Sequence, residues 1–130
     1  DDKRNALLNY GYAVARSAVA RGLVAAGLLP AFVINHASMA NPFNLADDLV
    51  EPFRPFVDRI VWSLTDRGTI RQGATTVEER RELASCLTAA AWIGRESVSL
   101  LVATERVAES LVRSIEGGSA ALLQLPRLVK

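Results

Sequence analysis

Apolar residues recur at helical spacing through the first 26 residues of the chain. The stripe consists of Leu8, Tyr12, Ala15, Val19, Leu23 and Ala26. This spacing predicts a helix from about Arg4 to Ala26, with Gly27 as the residue that follows its end. Alanines extend the apolar surface almost all round. That distribution is typical of a helix at the centre of a bundle.

A second helical pattern begins after a long connection. Its apolar positions are Leu45, Leu49, Phe53, Phe56, Ile60 and Leu64. They predict a helix from about Leu45 to about Asp66, with Asn44 as its N-cap. Pro52 and Pro55 lie inside this pattern. Because proline has no N–H to donate to the carbonyl four residues back, we expect the helix to be kinked or briefly broken there.

Two more helices are predicted in the second half of the chain. Thr76 and Glu79 have the spacing of a capping box, and the helix they begin is expected to run to about Trp92. After an interruption at Gly94, the fourth helix is predicted from about Glu96 to Glu116 and ends at two glycines.

The last residues, Ser119–Lys130, form an apolar tail that we expect to pack back on the bundle or on a partner. No useful stretch alternates with the two-residue period of a strand. The predicted fold class is therefore all-α, a bundle of four main helices of which one is kinked by proline.

Composition narrows the class of protein without deciding its function. The 130 residues suffice for one domain, and 50% hydrophobic against 22% charged residues can build a core. The net charge of +1 gives no electrostatic signal for nucleic acid. Acidic residues dominate positions 36–58 and arginines dominate positions 59–81. This distribution suits a metal nuclease, but it also suits an ordinary solvated surface.

Cysteine usage and hydropathy predict a soluble, intracellular protein. Cys86 is the only cysteine and lies in an apolar helical pattern, which predicts a buried and unreactive thiol. There is no disulfide framework, zinc spacing or signal peptide. The longest uncharged apolar run, Gly22–Ile34, has 13 residues. A membrane-spanning helix needs about 20, so we expect no membrane partner.

The candidate chemistry lies between His36, the only histidine, and Arg59. This stretch contains Asp47, Asp48 and Glu51, and the last two share a helix face because they are three residues apart. An imidazole and carboxylates suit a divalent metal such as Mn²⁺ or Mg²⁺, which can orient a phosphodiester. A plain structural interpretation stands beside this one. Aspartates in a first turn complement the helix dipole, and a lone histidine is more often structural than a ligand.

Three blocks of sequence carry a more specific signal. They are NALLNYGYAVAR at residues 5–16, INH at residues 34–36 and NPFNLADDLVEPFRPFVD at residues 41–58. In this order they resemble the CRISPR-associated adaptation integrase, the endonuclease-like family that inserts new spacers, and most closely its type II branch. The later half of the chain fits that family only in its helical character and in its LxxPxL-like end.

The resemblance implies a site and a domain assignment. His36 and Glu51 match two of the family's three metal ligands, and Asp48 matches an accessory acid. The third ligand is a glutamate on a helix before the first block. The resemblance thus implies that residues 1–130 are the helical C-terminal catalytic domain, without its first helix and without the N-terminal β-rich domain that builds the dimer interface. We expect these residues alone to be weakly active or inactive.

The family's reaction is a metal-dependent transesterification, in which the 3′-hydroxyl of a captured DNA fragment attacks a phosphodiester at the repeat boundary. The implied partners are double-stranded DNA of the spacer precursor and the CRISPR repeat, a second copy of the chain, and a small ferredoxin-like companion protein. Two alternatives are a non-catalytic helical interaction module and a helical DNA-binding regulator. The first leaves the His36 region unexplained, and for the second no basic recognition helix stands out.

Overall fold

A computed structural model describes residues 2–28, 48–68 and 73–129. The α-helices whose bounds lie within these ranges are α1 (Asp2–Ala25), α2 (Arg54–Asp66), α3 (Val77–Ala84) and α4 (Leu100–Gly117). The three strands are β1 (Ala90–Ile93), β2 (Glu96–Ser99) and β3 (Arg127–Leu128). Short 3₁₀ turns occupy Glu51–Phe53, Ser85–Thr88 and Ala120–Leu122.

Helix α1 lies at the centre and packs against α2, α3 and α4, as its apolar surface predicts. Two glycines let its neighbours come close. A Cβ atom on Gly11 would collide with the side chain of Val57 on α2. A Cβ atom on Gly22 would lie 3.0 Å from the carbonyl oxygen of Thr104 on α4. These approaches depend on the absence of a side chain at both glycines.

The core gathers apolar side chains from α1, α2, α3, α4 and the first 3₁₀ turn. Its fully buried members include Leu7, Val19, Phe53, Val57, Leu83, Leu100 and Val107. The predicted stripe on α1 is slightly misplaced, because Leu7 is fully buried while Leu8 and Tyr12 are only half-buried. The buried face also contains Gly11 and Gly22, which a count of hydrophobic side chains ignores.

The predicted break at the prolines is confirmed. Residues 48–50 are helical, the chain tightens into a 3₁₀ turn at Glu51–Phe53, and α2 then begins at Arg54. Pro55 has no N–H to bond the Glu51 carbonyl, and the Arg54 N–H donates to that oxygen instead. We call Glu51–Phe53 the proline turn. The predicted N-cap, Asn44, lies outside the described residues.

The all-α prediction is wrong for residues 90–99. These form an antiparallel hairpin in which Trp92 pairs with Ser97 and Ile93 pairs with Glu96. The third helix therefore ends at Ala84 rather than near Trp92, and the fourth begins at Leu100 rather than Glu96. Gly94 adopts a φ of 60° in the two-residue connection, a conformation that suits a tight hairpin and that glycine adopts without strain.

The hairpin is completed by the chain's last segment. Strand β3 pairs with β1 in the sheet order β2-β1-β3, with Leu128 opposite Ala91. A guanidinium nitrogen of Arg127 donates to the Gly94 carbonyl at 2.6 Å. The prediction that the tail packs back on the domain is thus confirmed, although the sheet that receives it was not predicted.

Local signals fix the ends of the later helices. The Ser99 hydroxyl accepts a hydrogen bond from the Val102 N–H at the start of α4, and Gly118 ends that helix with a φ of 65°. Cys86 is fully buried as predicted, and burial raises the pKa of its thiol to about 11. Of the helices described, none is both long enough and apolar enough to cross a bilayer.

A buried ion pair ties the beginning of α1 to the beginning of α3. The predicted capping box is present, because Glu79 N–H donates to the Thr76 hydroxyl at 3.1 Å and Thr76 N–H donates to Glu79 Oε1 at 2.8 Å. Lys3 Nζ lies 2.9 Å from the same carboxylate oxygen and donates to the Ala74 carbonyl at 2.9 Å. Lys3 is only 3% exposed, so this ammonium group is part of the interior.

The Lys3 contact also sets how the carboxyl of Glu79 titrates. Burial by itself raises the pKa of Glu79, but the bonds from the Thr76 N–H and from Lys3 outweigh it, so the pKa is lowered from 4.5. Because the pKa of Glu79 is lower in the folded state than in the unfolded state, its ionisation stabilises the folded state at pH values above the unfolded-state pKa. This contribution is lost as pH falls through the lower, folded-state pKa.

We expect Lys3→Ala to lower the free energy of unfolding by about 3 kcal/mol at neutral pH, because it leaves a buried carboxylate without its cation. The measurement is urea unfolding followed by circular dichroism. Arg106→Ala is the matched control, since Arg106 and Glu96 form an exposed pair at 2.8 Å, and we expect a loss of about 1 kcal/mol or less. The difference between wild type and Lys3→Ala should shrink as pH falls through the lowered pKa of the Glu79 carboxyl, because protonation removes the charge that Lys3 balances. Equal losses from both variants would contradict the structural role of Lys3.

Candidate active site

The proline turn presents Glu51 at the surface while its neighbours anchor it. Val50 and Phe53, on either side, are buried in the core. The Phe53 ring also lies 6.4 Å from the ring of Phe56, between centroids. The side chain of Glu51 is 60% exposed and that of Asp48 is also exposed. The turn therefore holds an accessible carboxylate on a firmly packed backbone.

Arg54 connects Glu51 to α1. Its Nη2 atom lies 3.3 Å from Glu51 Oε1, in an ion pair between residues three apart. The guanidinium carbon lies 4.7 Å from the centroid of the Tyr12 ring, within the range of a cation–π contact. The same cation therefore touches the candidate metal ligand and an aromatic ring of the central helix.

Tyr12 is in turn held by α2. Its hydroxyl donates to Asp58 Oδ1 at 2.5 Å. Burial raises the pKa of Tyr12 to about 12, with further contributions from this hydrogen bond and from the Asp58 charge, while the Arg54 cation acts in the opposite direction. We call Glu51, Arg54, Tyr12 and Asp58 the Tyr12 cluster. It links the proline turn, α2 and α1 through side chains.

An open cavity of about 170 Å³ adjoins the cluster at Asp58. It lies between α1 and α2, and its lining includes Arg4, Leu8 and Trp62. Trp62 is 70% exposed. The surface beside the candidate site thus combines a carboxylate, a cation and an exposed indole.

The predicted site residues are only partly covered by the described ranges. The helix break lies beside Asp48 and Glu51, as predicted, and both side chains are exposed. His36 and Asp47 lie outside the described residues, so the approach of His36 to Glu51 stays a prediction. Within residues 2–28, 48–68 and 73–129, no three His, Cys, Asp or Glu side chains are grouped to hold a metal ion. The described part of the chain provides exposed carboxylate oxygens, which are the ligands that hard cations such as Mg²⁺ and Mn²⁺ prefer.

Sequence reasoning did not connect Tyr12, Arg54 and Asp58 with the site. The predicted apolar stripe of α1 included Tyr12, but the residue is only half-buried and its hydroxyl donates to Asp58. One signal was available. All members of the cluster fall within the blocks at residues 5–16 and 41–58, although spacing alone does not bring α1 against α2.

Comparison with known proteins gives two findings. A family model described as "CRISPR associated protein Cas1" matches residues 1–92, an interval that contains the whole Tyr12 cluster. The chain is also 39% identical over 125 residues to the "CRISPR-associated endonuclease Cas1" of Neisseria meningitidis serogroup C (strain 8013). The aligned part is 96% of this chain and 41% of the relative. The chain therefore spans about two-fifths of that relative's length.

We expect Tyr12→Phe to remove a phenol that titrates with a pKa of about 12. Because this value lies above the ordinary 10.0, Tyr12 contributes stability fully below about pH 10, and the contribution is lost as pH rises toward 12. Loss of the hydrogen bond should cost about 1 kcal/mol at neutral pH. Phenolate absorbance against pH measures the titration, with Tyr10→Phe as the control. Survival of the component near pH 12 in Tyr12→Phe would refute the assignment.

Proposed function

Because this chain belongs to the Cas1 family of CRISPR-associated proteins, we propose that it is the helical catalytic part of a DNA endonuclease and integrase that inserts spacers into CRISPR repeat arrays. The observation that carries the proposal is the exposed carboxylate of Glu51, presented by the proline turn inside the interval that matches the family. The Neisseria relative is named as an endonuclease, which supports the reaction class.

In the proposed reaction, a 3′-hydroxyl of the captured DNA attacks a phosphodiester at the edge of a repeat. The new P–O bond replaces the bond to the 3′-oxygen of the attacked strand, and that oxygen leaves as a hydroxyl. His36 and Glu51 would hold Mn²⁺ or Mg²⁺, with Asp48 assisting and a third carboxylate coming from a helix upstream of residue 5. A bound divalent ion orients the phosphodiester and stabilises the charge on the attacking or leaving oxygen. The exposed carboxylates at the turn fit such an ion by the chemistry of their donors.

The described residues contribute to this reaction by fixing the position of the Glu51 carboxylate. Phe53 is fully buried and Val50 is nearly so, and both fix the backbone on either side of Glu51. A displacement of about 1 Å at an active site can cost on the order of 100-fold in rate. A carboxylate on a tight turn anchored in the core therefore suits catalysis better than one on a free loop.

The partners in this proposal are those of spacer integration. They are double-stranded DNA from the spacer precursor and the repeat, a second copy of the chain in a homodimer, and the family's small ferredoxin-like companion protein. The expected compartment is the prokaryotic cytoplasm. Family membership is the support for these partners.

A non-catalytic helical interaction or DNA-binding module is the alternative function. It is favoured by the exposed apolar side chains near the C-terminus, namely Ile115, Leu122, Leu125 and Leu128. Calorimetric titration with Mn²⁺ separates the two functions in a chain that includes the upstream helix. Binding that disappears in Glu51→Gln supports the nuclease, and absence of binding in wild type supports the module.

We expect Glu51→Ala to reduce strand transfer by at least about 100-fold in the complete natural chain, because a misplaced or lost ion affects the reacting phosphodiester directly. Circular dichroism should show unchanged helicity, and the free energy of unfolding should change by about 1 kcal/mol or less, since the pair with Arg54 is exposed. Glu82→Ala is the matched control, because Glu82 pairs with Arg67 at the same 3.3 Å. Loss of helicity together with activity would point to a structural role for Glu51.

We expect the 130 residues alone to be a poor strand-transfer enzyme. Loss of a ligand should cost at least as much as loss of a residue that only orients one, which is typically about 10–100-fold. The assay is strand transfer on branched DNA in Mn²⁺, comparing this chain with a version that includes the upstream helix. Equal rates would show that no upstream carboxylate is needed and that the ligand assignment is wrong.

A further inference from the structure

We infer that Arg54 is a DNA-phosphate-binding residue, whose guanidinium is held on the Tyr12 ring and exchanges the Glu51 carboxylate for a backbone phosphate when DNA enters. The inference deepens the proposed function and rests on it. It assigns a role to a residue that is not among the predicted metal ligands, and it assigns to Tyr12 the role of a positioning residue.

The geometry separates what fixes Arg54 from what pairs with it. The guanidinium lies over the Tyr12 ring at 4.7 Å, and a single nitrogen, Nη2, makes the 3.3 Å contact to Glu51. Tyr12 is fixed from the other side by its hydrogen bond to Asp58. The ring therefore keeps the cation in place whether or not the carboxylate remains. Since the Arg54 side chain is 45% exposed, its donors are accessible to an incoming anion.

The ion pair between Arg54 and Glu51 is of a kind in which one anion can readily replace another. Exposed ion pairs contribute little to stability, because water screens both charges. The planar fork of arginine matches two oxygens of a phosphate, and stacking on an aromatic ring reduces the freedom it loses on binding. A phosphodiester beside Glu51 would thus meet a cation that is already oriented. If Glu51 turns toward a metal ion, Arg54 loses its resident anion at the same moment.

Arg67, the residue that follows the end of α2, provides an internal comparison. It pairs with Glu82 at the same 3.3 Å and with similar exposure. Its Nε atom also donates to the carbonyl of Ser63 at 3.3 Å, at the end of α2. Arg67 is therefore tied to its own helix end and lies outside the Tyr12 cluster. The two pairs have the same charge and separation, so they distinguish a specific phosphate contact from a general effect of charge.

The test measures binding of fluorescent branched DNA to the complete natural chain in EDTA, by anisotropy over a series of salt concentrations. EDTA excludes any effect of Glu51 as a metal ligand. We expect Arg54→Ala to weaken binding roughly 10-fold, as loss of a bond to a charged group does. The slope of log K against log salt should become shallower by about 0.9, the value for one phosphate contact.

The anion exchange itself is tested by removing the competing carboxylate. Glu51→Gln should strengthen DNA binding about threefold, because Arg54 then has no resident anion to give up. In the double variant Arg54→Ala/Glu51→Gln this gain should be absent. Arg54→Lys should restore the salt slope, because the charge returns, but only part of the affinity, because the planar fork does not.

The role of Tyr12 is tested with two substitutions. Tyr12→Phe keeps the ring and should retain most of the Arg54 contribution to binding. Tyr12→Leu removes the ring and should approach the affinity of Arg54→Ala, with the same shallower salt slope. A role for Tyr12 in folding alone would lower thermal stability without changing that slope.

The controls are Arg67→Ala and Glu82→Gln, for which we expect affinities within about twofold of wild type. If Arg67→Ala weakens binding as much as Arg54→Ala, or if Arg54→Ala and Arg54→Lys both keep wild-type affinity and slope, the inference is wrong. Failure of the proposed function gives a different result. In that case the complete wild-type chain shows no strand transfer on branched DNA in Mn²⁺, whether or not it binds that DNA.

Discussion

The candidate site depends on two backbone hydrogen bonds that cannot form. Pro52 and Pro55 withhold the donors that an uninterrupted α-helix would direct at the carbonyls of Asp48 and Glu51. The chain instead forms a 3₁₀ turn, in which the Arg54 N–H donates a hydrogen bond to the Glu51 carbonyl. This change of winding lets Phe53 enter the core while Glu51 stays at the surface. The position of the carboxylate is thus a consequence of backbone chemistry and core packing together.

Helix α1 supplies the wall against which that turn is fixed. Gly11 gives Val57 room beside α1, which brings α2 close enough for Tyr12 to reach Asp58 and Arg54. The site therefore couples a small residue in the interior to a polar contact at the surface. A side chain at Gly11 would push α2 outward and separate the Tyr12 cluster without touching any of its members.

Local rules predicted much of this structure, and the errors lie where distant segments decide. The break at the prolines, the capping box at Thr76 and the helix ends at glycines each depend on a few neighbouring residues. The β-hairpin was missed because the alanines before Trp92 also suit a helix. Pairing of β1 with β2 on one side and with β3, from the end of the chain, on the other overrides that preference. The break was also placed correctly beside Asp48 and Glu51. The contacts of Lys3 and of Tyr12 cross between elements, and no spacing rule reveals them.

Two ion pairs in this domain show how solvent decides what a salt bridge does. Lys3 and Glu79 meet at 2.9 Å with side chains 1% and 8% exposed, so neither partner can leave without stranding a charge in the interior. Glu51 and Arg54 meet at 3.3 Å in water, where the carboxylate can turn away at little cost. The first arrangement suits a permanent link between α1 and α3. The second leaves a carboxylate and a guanidinium next to each other, both accessible to other partners. A site that binds a metal cation and a phosphate requires such an arrangement.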